Sequence, residues 1–191
     1  MAYADQSIGA FLDAVASEDL TPSGGAVAAI AGAAGAALCE MACRHSIGDD
    51  ADGTAALAGL AEALEADRRR LLDLADADAA AVEAVFHGGE EPSAAAERAT
   101  EVPLETAEAS LEVLERAATV TAKSNARAAP DAATGAFLAH AAVRATTSTV
   151  RVNLSALDDE AFVGSARERT DEVERAAAAA LERVRANLES A

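Results

Sequence analysis

From Ala26 to Cys39 the chain carries no charged residue and nothing larger than Leu or Ile, so a helix over this stretch has no side suited to water. Small residues at Gly25, Ala28, Gly32 and Gly35 would let other backbones come close. The stretch is predicted as the central helix of a bundle, surrounded by protein, with Val27, Ile30, Leu38, Met41 and His45 roughly on one stripe. Before it, Ser7 can cap a short helix with Ile8, Phe11, Leu12 and Val15 as its apolar face. After it, residues 48–53 (GDDADG) read as a solvated loop.

A third helix, from about Thr54 to Phe86, shows the 3,4 spacing of a long antiparallel bundle helix. Its inward stripe is Leu57, Leu60, Leu64, Asp67, Leu71, Leu74, Asp78, Ala81 and Val85. Residues 87–92 (HGGEEP) read as a turn, followed by a short helical stretch around Arg98. Pro103 suits the first turn of another helix, with Leu104, Ala107, Leu111, Leu114 and Ala118 inward. The next helix is predicted to begin at Pro130-Asp131, with Asp131 as its cap. Its stripe reads Asp131, Thr134, Leu138, Ala141, Ala145, Ser148 and Val152, with Arg144 and Arg151 on the adjoining row. A last helix starts after Asp158-Asp159-Glu160 and runs to about Leu188. The predicted fold is all-α: an antiparallel bundle of about five long helices plus one or two short ones, one domain over residues 1–191, with a subunit interface at the central helix.

Composition strengthens this picture. Hydrophobic residues make up 51% of the chain but aromatics only 3%, so the core must be built from Ala, Leu and Val, which suits closely packed helices and not a β-sandwich. The 33 acidic residues outnumber 15 basic ones for a net charge of −18, and Lys123 is the only lysine. Such a surface argues against nucleic acid and against electrostatic attachment to anionic lipid. It suits a protein working in high salt, where self-repulsion is screened over a few ångströms. A membrane span is not expected, because the apolar helical part reads as shorter than the ~20 residues a bilayer needs. With no signal peptide at the start and Cys39 and Cys43 read as reduced core residues, the expected location is the cytoplasm. No metal site is expected.

Two features carry candidate chemistry. Asp67 and Asp78 stand where leucines belong, and a carboxylate facing a core costs several kcal/mol unless it is paired or borders a site for a cation or water. An internal salt bridge, to Arg144, Arg151 or one of Arg68, Arg69 and Arg70, is one account; a ligand site is the other. Thr21-Pro22-Ser23-Gly24-Gly25, at the start of the central helix, leaves backbone N–H groups at the positive end of a helix dipole, a place for an anion or a polar ligand edge. The same glycines would also serve tight packing alone. No strand precedes this turn and no Gly-Lys-Ser/Thr follows it, so neither a dinucleotide fingerprint nor a P-loop is present.

Residues 11–17 (FLDAVAS), 21–29 (TPSGGAVAA), 76–81 (DADAAA), 102–104 (VPL), 125–131 and 150–154 (VRVNL) together resemble the cyclodeaminase domain family of formiminotransferase-cyclodeaminase, which includes stand-alone methenyltetrahydrofolate cyclohydrolases. The resemblance spans about Ile8 to Asn153. Ser23 stands where the family's turn has a Gly, and Thr149 where an Asn is common. The resemblance implies an all-helical homodimer acting on a tetrahydrofolate derivative, with no metal and no tightly bound cofactor. For the chemistry such a substrate needs, the candidates from the helix stripes and the glycine turn are Asp131 and Asp78 as catalytic residues, Pro22, Ser23, Gly24 and Gly25 for ligand contacts, and Arg144 or Arg151 for the glutamate tail. Cyclohydrolase activity is the first expectation, because this chain has no formiminotransferase domain; cyclodeaminase activity is the second. A non-catalytic folate-binding or structural helical dimer is the alternative outside enzymes.

Overall fold

Short loops between long amphipathic segments dictate an up-and-down arrangement, and the chain follows it. The fold is given by a computed structural model that describes residues 2–48, 51–88 and 91–190. A 3-10 turn at Tyr3–Asp5 leads into α1 (Ile8–Val15), α2 (Gly24–Ser46), α3 (Ala51–His87), α4 (Pro92–Lys123), α5 (Ala129–Leu154) and α6 (Glu160–Glu189). Among the described residues there is no strand. The helices α2 to α5 pack each on the next, α5 also closes back onto α2, and α6 covers α4 and α5.

The α2–α5 contact depends on absent side chains. A Cβ on Gly35 would lie 2.6 Å from the Gly135 carbonyl oxygen, and one on Gly135 would lie 2.6 Å from the Gly35 carbonyl and 2.7 Å from Cys39 Sγ. These helices therefore touch backbone to backbone, as the small-residue pattern of α2 led one to expect. At 23 residues α2 is longer than its apolar stretch suggested, and by length and composition it could cross a bilayer. Its inner side is buried against α3, α4 and α5, but Val27 and Ala34 are exposed, so the helix is not surrounded on all sides.

Several boundaries and faces differ from the sequence reading. Helix α3 begins at Ala51, within the expected loop, of which Asp49 and Asp50 lie outside the described residues, as do Gly89 and Glu90 of the following turn. The stripe of α3 is inward as expected, except that Val85 is exposed. Of α1, Phe11 is buried, edge-on to Tyr3, while Ile8 and Leu12 are exposed. Helix α4 is continuous from Pro92 to Lys123 with Pro103 inside it, where a break had been expected. Pro103 lacks the N–H that would bond the Ala99 carbonyl four residues back. Asn153 of α5 supplies the missing donor, its Nδ2 lying 2.8 Å from that oxygen.

The largest correction concerns α5. Its buried face consists of Ala129, Ala132, Ala133, Gly135, Ala136, Ala139, Ala142, Val143, Thr146, Thr147, Val150 and Leu154. The stripe of larger residues chosen from the sequence points outward: Asp131, Thr134, Ala141, Ala145, Ser148 and Val152 are all exposed. Close helix contact selects side-chain size before hydrophobicity, so alanines and glycines win the core face. Nor is Asp131 the cap of α5. The residue before the helix is Ala128, no side chain caps it, and Asn125 Oδ1 instead orders the turn leading in, accepting from the N–H groups of Arg127 (3.0 Å) and Ala128 (3.1 Å).

Candidate active site

The start of α2 is built around one carboxylate. Ser23 caps the helix, its Oγ accepting from the Gly25 N–H at 3.3 Å, and the same hydroxyl donates to Asp78 Oδ2 at 2.5 Å. Asp78 Oδ2 also accepts from the Ala26 N–H at 2.9 Å. The dipole end that the sequence suggested for a ligand anion is thus occupied by the protein's own acid from α3. Gly25 has to be glycine for this: a Cβ there would lie 2.0 Å from Asp78 Oδ1 and 2.5 Å from its Cγ. The Thr21–Pro22 peptide is cis, and Pro22 is buried beneath the turn. Asp76, two residues earlier on α3, accepts from the Tyr3 N–H at 2.9 Å and so ties the N-terminal turn to the same helix.

Asp78 Oδ1 accepts no hydrogen bond from any described residue, and the side chain borders a cavity of about 460 Å³. Ser23, Gly24, Gly25, Thr149 and Asn153 are the polar or glycine part of the lining; Val82, Val85, Phe86 and several alanines make the rest apolar. Burial pushes the Asp78 carboxyl above its ordinary value, against the opposing pull of the Ser23 hydroxyl and the Ala26 N–H. No arginine pairs with it among the described residues, so the salt-bridge account does not apply to Asp78. An acid held by one oxygen, with the other left without a hydrogen bond against Gly25 at the edge of an apolar cavity, can accept a proton or stabilise a cation there.

Asp67 has the other explanation. It lies 2.8 Å from Arg116 of α4, an arginine the sequence reading did not consider, and the N–H is not aligned on the buried Oδ2. Burial raises its carboxyl to about 6, with Arg116 opposing and Glu112 reinforcing. It belongs to a structural ion-pair group and lies outside the cavity lining.

The other expected site residues are elsewhere. Asp131 is exposed in the first turn of α5, beside a separate hollow formed with His45, Asn125, Arg127 and Ala128. Eighteen residues of helix separate it from Thr149 at the cavity, about 27 Å at 1.5 Å per residue, so within one chain it cannot act beside Asp78. Arg151 is held on α6 by Asp171 (2.6 Å) and Glu174 (2.9 Å). Arg144 is exposed and not part of the lining. These three were placed at the site by a stripe that faces outward. Thr149, Asn153, Val82 and Phe86 are cavity residues to which the sequence reading gave no role. For Asn153 the available signal was its place in the 150–154 stretch that carries the resemblance and for Thr149 its departure from that pattern; for Phe86 it was a large aromatic at a helix end in a chain that has few.

Among the described residues no group of three or more His, Cys, Asp or Glu side chains is placed to hold a metal ion, and Cys39 and Cys43 are free and buried.

A helical bundle that keeps a desolvated acid at the wall of a mostly apolar cavity has the form of a small-molecule site suited to a partly apolar ligand with a polar or cationic centre. Residues 7–172 match the formiminotransferase-cyclodeaminase family, and the chain belongs to it. It is 36% identical to the methenyltetrahydrofolate cyclohydrolase of Methylorubrum extorquens, over 89% of this chain and 88% of that protein. Among solved structures it is similar to formiminotetrahydrofolate cyclodeaminase from Thermotoga maritima, with a TM-score of 0.92, 28% identity and 98% of both chains covered.

Proposed function

We propose that this chain is a folate-dependent one-carbon enzyme, acting as a methenyltetrahydrofolate cyclohydrolase that converts 5,10-methenyltetrahydrofolate and water to 10-formyltetrahydrofolate. The observation that carries the reading is Asp78, fixed through Oδ2 and open through Oδ1 at the wall of a cavity large enough for a pterin. Membership of the family and the similarity to a cyclohydrolase over most of both chains support the same substrate class.

The substrate carries its positive charge on the carbon joining N5 and N10. Beside it, the Asp78 carboxylate is favoured over the acid by that charge, and its raised proton affinity makes it a better base. Oδ1 accepts the proton that water loses as the water oxygen bonds to the bridge carbon. When the N5–carbon bond breaks, N5 takes up a proton while the adduct's hydroxyl gives one up, leaving a formyl group on N10. The balance is one proton released for each water consumed. No resident metal or cofactor has a step in this scheme. Ser23, Gly24 and Gly25 shape the cavity wall nearest the acid, with Ser23 and Pro22 holding the turn.

The deaminating reaction, in which N10 attacks the formimino carbon of 5-formiminotetrahydrofolate and ammonia leaves, is the second reading, favoured by the similarity to the Thermotoga maritima enzyme. Purified protein in high salt, offered each folate separately, distinguishes them: loss of methenyl absorbance marks the first and ammonia release the second. Asp78→Asn is expected to lower turnover at least ~100-fold while the protein stays folded. A folded Asp78→Asn protein with full turnover would overturn the mechanism.

The proposal extends to assembly and setting. Val27, Ile30, Ala34, Leu38 and Met41 of α2, with Leu138, Ala141, Ala145 and Val152 of α5, leave an apolar outer face that a second copy of the chain would cover in a homodimer. The charge of −18 supports a cytoplasm of high salt and a protein with neither nucleic acid nor membrane among its partners.

A further inference from the structure

Pro103 has a consequence at the cavity. With no N–H at residue 103, the Ala99 carbonyl in the middle of α4 is left to the side chain of Asn153, whose Nδ2 donates to it at 2.8 Å. A carbonyl can only accept, so this contact determines which end of the amide faces α4. The NH2 group is turned to Ala99 and the oxygen is left for the other side. Asn153 Oδ1 accepts from no described residue, and Asn153 lines the same cavity as Asp78.

The other polar side chains of that cavity are already engaged as donors. The Ser23 hydroxyl donates to Asp78 and the Thr149 hydroxyl to the Ala145 carbonyl. Beside the Thr149 hydroxyl, which keeps its acceptor lone pairs, the lining therefore offers two unengaged side-chain carboxylate or amide oxygens from different helices, Asp78 Oδ1 on α3 and Asn153 Oδ1 on α5, among apolar neighbours. A pterin is a flat ring system with N–H donors along one edge and its one-carbon bridge on another.

We infer that Asn153 is a substrate-binding residue: its amide, aimed by the carbonyl that Pro103 frees, accepts a hydrogen bond from the N–H edge of the pterin and so holds the ring in the cavity that Asp78 borders. This rests on the folate reading above. Because the amide contacts a part of the substrate that does not react, it binds ground state and transition state alike, and its loss appears in KM rather than in kcat.

The same geometry separates this role from a structural one. Asn153→Ala removes both the acceptor and the donor to Ala99, so it lowers the melting temperature and raises KM for 5,10-methenyltetrahydrofolate about tenfold, with kcat within about twofold. The double variant Pro103→Ala/Asn153→Ala gives residue 103 a backbone N–H for the Ala99 carbonyl. It is expected to melt at or above the wild-type temperature while KM stays about tenfold raised. A double variant whose KM returns to the wild-type value would show that Asn153 only satisfies α4, and would overturn this inference alone. Wild-type protein with no turnover of either folate would overturn the folate reading, and this inference with it.

Discussion

Gly25→Ala tests the packing at the cavity wall most directly. The new methyl would lie 2.0 Å from Asp78 Oδ1 and 2.5 Å from Cγ, well inside contact distance, and the helix start it belongs to is closed by the Ser23 cap. The carboxylate is the group that can swing away, and doing so breaks its bonds to Ser23 Oγ (2.5 Å) and the Ala26 N–H (2.9 Å). Two such bonds at about 1.5 kcal/mol each amount to about 3 kcal/mol. The greater helix propensity of Ala offsets up to about 1 kcal/mol, leaving a loss of about 2. For a chain of this size that is a fall of about 4–8 °C in melting temperature. Displacing the acid by about 1 Å should lower turnover about 100-fold. Gly59→Ala is the matched control: the same exchange on an exposed face of α3, with nothing within 4 Å of the added carbon, should gain up to about 1 kcal/mol and leave turnover unchanged. Methenyl absorbance and thermal melts read both effects. Gly25→Ala protein that turns over within twofold of wild type and melts no lower than Gly59→Ala would refute the account of why glycine stands there.

Three further outcomes are expected. Asp67 titrates near 6 in the fold against an ordinary 3.8, so the native state holds a proton that the unfolded state has lost between these values; its contribution to stability is fully present below 3.8 and falls as pH rises to about 6. The gap corresponds to about 3 kcal/mol, so Asp67→Asn should gain on wild type by up to that amount between pH 4 and pH 7, and urea melts showing the opposite trend would contradict it. Alanine at either Gly35 or Gly135 must push a carbonyl 2.6 Å away on the facing helix, where backbone cannot yield cheaply, and should lower stability in urea by about 1–3 kcal/mol or more. At a net charge of −18, the melting temperature should rise as KCl goes from millimolar to molar, and an unchanged curve would count against a high-salt adaptation.

The sequence by itself determined the class of fold, because helical periodicity, an aromatic-poor apolar share and short connections leave few alternatives to a bundle. It also determined that Asp78 and the turn at residues 22–25 needed an explanation, since an acid in a leucine stripe is visible without coordinates. Which acid joins that turn, and which does not, was decided only by tertiary structure. Asp78 meets Ser23 and Ala26 across two helices, while Asp131, on a stripe that looked inward, lies at the far end of α5 on its outer side. The stripe misled because α5 approaches α2 through Gly35 and Gly135 at a distance that only small side chains permit, so size and not hydropathy determined which face was buried. The link from Pro103 through Ala99 to Asn153 was likewise invisible in the chain: a missing N–H on one helix and a spare amide on another become partners only when packing brings them together.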